Sequence, residues 1–179
     1  INHEQHYRQP TTADETIELG GFVGEGLIER KSPVRISNWQ VLNISAGGTA
    51  LRKFPTVSAQ VRIGELLSVK NENEKTWAVA VLRWASNGGQ EQLDIGTQLI
   101  APYAKAGGTR VLNGDLFEPA LILPAMPAIK QTASLITRCG FYAPARILEL
   151  DENGIVSRIM ITKLVERTRS FERFQFSVL

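Results

Sequence analysis

An all-β chain, built as two small barrel-like modules, is what the 179 residues predict. Short apolar stretches recur between clusters of glycine, asparagine and proline at regular spacing, the pattern of strands joined by tight turns. A composition of 43% hydrophobic residues is enough for ordinary globular cores. No apolar run approaches the ~18 residues that a membrane-crossing helix needs, so no membrane insertion is expected.

The elements follow in chain order. Residues 1–26 are acidic at first (Asp14, Glu15, Glu18) and then glycine-rich (Gly20, Gly21, Gly24, Gly26), which predicts an N-terminal lead-in. The chain opens on Ile1 rather than Met, which suggests a piece of a longer protein. Residues 27–104 are expected to form the first barrel. In Val41-Leu-Asn-Ile-Ser-Ala-Gly-Gly-Thr-Ala-Leu51, apolar residues enter and leave a short turn holding Asn43, Ser45, Gly47 and Gly48. Asn43 and Ser45 can bond backbone or ligand, and Gly48 allows a positive φ or close approach by another group. Val61–Val69 reads as a strand entered through Gly64, Trp77–Trp84 as a second, and Leu93–Ile100 as a third, with a turn at Ser86–Gly89. Trp77 and Trp84 are seven residues apart, so strict alternation sends them to opposite faces. One then belongs to the core and the other to a ligand or partner surface.

Residues 105–118, opening on Ala106-Gly107-Gly108, are expected to be a linker closed by Pro119. A second β-rich module should span 119–179. Ala120–Leu123, Ala133–Thr137 and Ala145–Leu150 are strand candidates. Asn153-Gly154 favours a two-residue hairpin loop, and Ile155–Leu164 returns from it. Glu166–Arg169 is a polar loop, and Phe171, Phe174 and Phe176 mark a terminal strand or short helix. About sixty residues make a thin core, so packing against the first barrel is expected.

Charge and motif patterns narrow the chemistry. Twenty basic residues against eighteen acidic ones leave a net charge of +2. That balance does not suggest nucleic-acid binding, which needs a basic face. Arg158, Lys163, Arg167, Arg169 and Arg173 read as a solvated edge. The single cysteine, Cys139, excludes an internal disulfide and any multi-cysteine metal site, and fits a reducing, cytoplasmic compartment. His3 and His6 lack a third ligand in register, so no metal is expected. Gly20-Gly21-x-x-Gly24-x-Gly26 is not followed by the Gly-Lys-Ser/Thr of a phosphate loop. No paired-carboxylate or triad pattern points to catalysis, so no enzyme and no cofactor are expected.

Asn43-x-Ser45-x-x-Gly48 resembles the [Asp/Asn]-x-Ser-x-x-Gly signature of PilZ domains, bacterial β-barrels that often bind cyclic di-GMP. The order downstream is similar too: a Gly64-Glu65 strand, a strand ending in Trp84, and a last strand with Ile95-Gly96. The likeness covers roughly residues 30–104, and the second half looks like a degenerate companion barrel without its own signature. What the resemblance implies is a regulatory receptor that signals by conformational change. Its Asn-x-Ser-x-x-Gly turn grips a guanine edge, and an upstream Arg-x-x-x-Arg motif meets phosphate and guanine. Here the upstream cluster is Arg30-Lys31-Ser32-Pro33-Val34-Arg35, and only Lys31 and Arg35 keep the four-residue spacing. Lysine lacks the planar fork of arginine, and the gap from Arg35 to Asn43 is short. The implied ligand set is Arg30, Lys31, Arg35, Asn43, Ser45 and Gly48. The alternative is a PilZ-like protein-interaction platform without ligand, serving motility, pilus or polysaccharide regulation through a protein partner.

Overall fold

The computed structural model describes residues 16–21, 36–53, 61–72, 74–88 and 92–179. Twelve strands close into two barrels of six, and a single 3-10 turn at Pro127–Ile129 is the one helical element among the described residues. The first barrel holds β1 (Thr16–Gly21), β2 (Ile36–Ser45), β3 (Gly48–Lys53), β4 (Leu66–Asn71), β5 (Ala78–Gly88) and β6 (Gln92–Ala101). The second holds β7 (Lys105–Val111), β8 (Glu118–Leu123), β9 (Ser134–Thr137), β10 (Ile147–Glu152), β11 (Ile155–Arg167) and β12 (Glu172–Val178). The strand order is β1-β2-β3-β6-β5-β4 in one and β7-β8-β9-β12-β11-β10 in the other, so both barrels share one topology. Every ladder is antiparallel.

Two stretches expected outside the barrels are strands. Residues 16–21, placed in the lead-in, pair with β2 and β4 and close the first barrel. Residues 105–111, placed in the linker, form β7, whose pairing with β10 closes the second. Glycines in both (Gly20, Gly21, Gly107, Gly108) masked the strand pattern, because a closing strand needs backbone partners more than apolar side chains. Ser86, Asn87 and Gly88, expected in a turn, belong to β5, which runs on to Gly88.

Alternation fills each interior. Trp39, Leu51, Leu67, Leu82, Leu93 and Ile95 form the core of the first barrel. The second is filled by Leu135, Leu148, Leu150, Ile159, Ile161 and Phe174, among others. A third apolar cluster lies between the barrels. Val79, Val81, Ile100 and Ala101 of the first meet Leu123, Ile136 and Phe171 of the second. This is the packing that a thin second core requires, because each barrel removes further apolar surface of the other from water. The 124–133 connection joins it: Gln131 Nε2 donates to the Ile100 carbonyl at 3.3 Å.

The tryptophans depart from simple alternation. Trp39 is the core indole. Trp77 precedes β5, half-buried, with Lys70 Nζ 5.1 Å from its ring centre. Trp84 is 44% exposed. The β5–β6 register shifts between Leu82 and Trp84, so Arg83 is an extra residue and the count of faces from Trp77 fails. The basic residues of 158–173 are not one solvated edge either. Arg173 is buried, and Arg167 Nε pairs at 2.8 Å with the buried Glu172 carboxylate.

Candidate functional site

The Asn43–Gly48 segment forms a hairpin with a two-residue turn, Ala46-Gly47, between β2 and β3. A bulge at Leu42 resets the alternation, so that Asn43 and Ser45 both stand on the outer face. Ser45 Oγ donates to the Gly48 carbonyl at 3.1 Å, and Leu99 N donates to the Gly47 carbonyl at 3.2 Å. The hairpin is therefore tied within itself and to β6. Asn43 is exposed, and its side chain has no partner among the described residues. Gly48 does not hold a positive φ. It is required by close approach instead: a Cβ there would lie 1.9 Å from the Thr97 carbonyl oxygen.

The ladders assemble an outer face across β2, β3, β6 and β5. Asn43, Ala50, Gly96 and Trp84 lie in one row. The two small residues in the middle make a floor, and Asn43 and Trp84 stand at its two ends. Gly96 is a necessity of this floor, since a Cβ would fall 1.9 Å from Trp84 Nε1. The indole thus lies across bare β6 backbone. An open cavity of about 310 Å³ results, lined by Asn43, Ser45, Gly48, Trp84, Gly96 and Thr97 with their neighbours.

The next rows bound this floor. Arg52 and Asp94 face each other on one side and form a bidentate pair, Nε to Oδ1 at 2.8 Å and Nη2 to Oδ2 at 2.7 Å. The Arg52 hydrogen bonds hold the Asp94 carboxyl below the usual carboxylate range. Ser45, Gly48, Gln98 and Val81 form the row on the other side, and Val81 is already part of the barrel–barrel cluster. The cavity therefore borders the second barrel.

Of the six expected ligand residues, the structure brings Asn43, Ser45 and Gly48 together on this cavity. Arg30, Lys31 and Arg35 lie outside the described residues, as do His3 and His6. Sequence reasoning missed Ala50, Gly96 and Thr97. The signal was available for Gly96 in the Ile95-Gly96 step, where a glycine interrupts a strand and marks close approach. Cys139 is half-buried with its thiol on the Thr168 and Arg169 carbonyls. No cluster of three or more metal-ligating side chains occurs among the described residues.

The geometry agrees with what the chain resembles. Residues 109–179 match the model of the FimW C-terminal β-barrel domain. A curated relative, the cyclic-di-GMP receptor FimW of Pseudomonas aeruginosa, is 31% identical over 144 residues, which cover 76% of this chain. The match spans 23% of that relative's length. The solved structure of MrkH from K. pneumonia aligns over 90% of this chain and 76% of its own, at 10% identity and a TM-score of 0.32, too distant to bear on the site. Residues 4–106 match the model of the middle PilZ domain of the cyclic-di-GMP receptor FimW, more than half of the chain, and with its barrel, its Asn43–Gly48 signature and its companion barrel the chain belongs to the FimW family of PilZ proteins.

Proposed function

We propose that this chain is a non-catalytic receptor module for cyclic di-GMP, working in the cytoplasm and passing ligand occupancy to a protein partner through its two-barrel body. The observation that carries the reading is the cavity itself: three signature residues and an exposed indole, laid over Gly96, line one open face of the barrel. Cyclic di-GMP is a dianion with two flat guanines. Trp84 offers a stacking face, a type of contact worth about 1–3 kcal/mol per base. The Asn43 amide has both donor and acceptor free to read a guanine edge, and the Ser45 hydroxyl keeps acceptor capacity beside it. Arg35, with Arg30 or Lys31 in place of a first arginine, supplies the charge that meets phosphate. The likeness to a named cyclic-di-GMP receptor supports the same ligand class.

Isothermal titration of cyclic di-GMP tests the proposal. The wild-type chain should release heat and saturate. Trp84→Ala and Arg35→Ala should each weaken binding by roughly ten- to a hundredfold while leaving the melting temperature nearly unchanged. Absence of heat or chemical-shift response at high micromolar ligand would reject the receptor reading. It would leave the ligand-free platform, which Lys31 in the first arginine position favours.

A further inference from the structure

Arg83 is the extra residue of the β5 bulge, immediately before Trp84. It lies where the cavity wall meets the second barrel, and both ends of its guanidinium are engaged. Nε donates to Gln98 Oε1 at 2.7 Å, and Nη1 pairs with Glu166 Oε1 at 2.5 Å. Gln98 stands directly opposite Gly48, in the row at the lip of the cavity. Glu166 belongs to β11 of the second barrel and stands opposite Arg173. Arg173 is buried, and its Nε donates to Ser134 Oγ at 3.0 Å. Burial pushes the Arg173 pKa down, and the Glu166 charge opposes that shift.

We propose that Arg83 is a positioning residue for the ligand face, holding Gln98 at the cavity lip while Glu166 of the second barrel clamps its other arm, so that the second barrel sets ligand affinity without touching the ligand. The proposal rests on the cyclic di-GMP reading above. A long side chain bonded at one point keeps much of its rotamer freedom; one held at two points by different barrels does not. The bulge matters here, because a residue without a cross-strand partner is free to lie sideways along the sheet. Gln98 also neighbours Leu99, whose N–H holds the Gly47 carbonyl of the signature turn. Releasing Arg83 would leave the lip and the turn to be ordered at the moment of binding, at a cost in affinity.

The test is titration of cyclic di-GMP into the whole chain carrying Arg83→Ala, Gln98→Ala, Glu166→Gln, or Arg83→Ala with Glu166→Gln. Each single change should weaken binding about three- to tenfold. The double variant should be no weaker than the poorer single, since both members serve one strap. Lys105→Ala, which breaks a pair with Glu152 outside this chain of contacts, should bind as wild type does. Glu166→Gln removes the charge facing buried Arg173, so if it fails to fold, Arg83→Lys replaces it. Lysine keeps the charge near Glu166 without the second fixed donor, and it should lose affinity as alanine does. Wild-type affinity in Arg83→Ala and Gln98→Ala overturns the strap alone, and so do losses that multiply in the double variant. A wild-type chain that takes up no cyclic di-GMP overturns the receptor reading and the strap together.

Discussion

At Gly48 the structure selects one of two reasons for a glycine. From sequence, either a positive φ or close approach explains a glycine after Asn-x-Ser-x-x. The backbone chooses the second, because the Thr97 carbonyl occupies the space of a side chain. Gly48→Val therefore has to push β3 away from β6 rather than strain a dihedral angle. Overpacking of this kind costs roughly 1–3 kcal/mol. A urea denaturation series should show the midpoint falling by a corresponding amount, and an unmoved midpoint would mean that the strands separate freely there. Gly96 makes the complementary case: its missing β-carbon lets Trp84 lie down. The shared placement of Asn43 and Ser45 on one tight hairpin was legible because a short motif fixes their spacing. The floor was not legible, because Ala50 and Gly96 are far apart in sequence and become neighbours only through the β3–β6 register.

At the scale of elements, turns were easier to read than bulges. Asn153-Gly154 forms the expected two-residue hairpin, with φ of 55° and 84°, and the Asp151 carboxylate accepts from Gly154 N at 2.8 Å. Both central residues take positive φ, which asparagine tolerates and glycine takes without penalty. Gly154→Ala places a β-carbon in that conformation, at a cost of about 1–2 kcal/mol. A thermal melt should show a drop of several degrees, and Asn153→Gly should show little change. The bulges at Leu42 and Arg83 left no such mark in the sequence, since neither residue belongs to a type that demands one. Yet they decide the site: one turns Asn43 outward, and the other turns Trp84 outward and frees Arg83 to reach the second barrel. Strands β1 and β7 were missed for a related reason, as glycine-rich closing strands carry few apolar side chains to announce them.

Across the whole molecule, shared topology puts corresponding faces to different uses. In the first barrel the outer face of β2, β3, β6 and β5 carries the cavity. The corresponding face of the second, over β8, β9, β12 and β11, has Leu121, Ile136, Arg173 and Glu166 in one row. Ile136 is buried there, and Leu121 packs on the same cluster as Val79 and Val81 of the first barrel. The two-residue signature turn is replaced by the 124–133 connection, which bonds to Ile100. The companion barrel has given its corresponding face to its neighbour, and that exchange leaves Val79, Val81, Ile100 and Ala101 covered only while both halves are present. Production of the PilZ half by itself, a natural first step for ligand screening, would bare this apolar strip to solvent. Such a surface drives association. Residues 1–106 expressed alone should elute from a sizing column as dimers or larger species and scatter light on concentration, where the two-barrel chain stays monodisperse. A well-behaved monomer of that half would show the strip to be tolerated in water. Any ligand screen is best run with the companion attached.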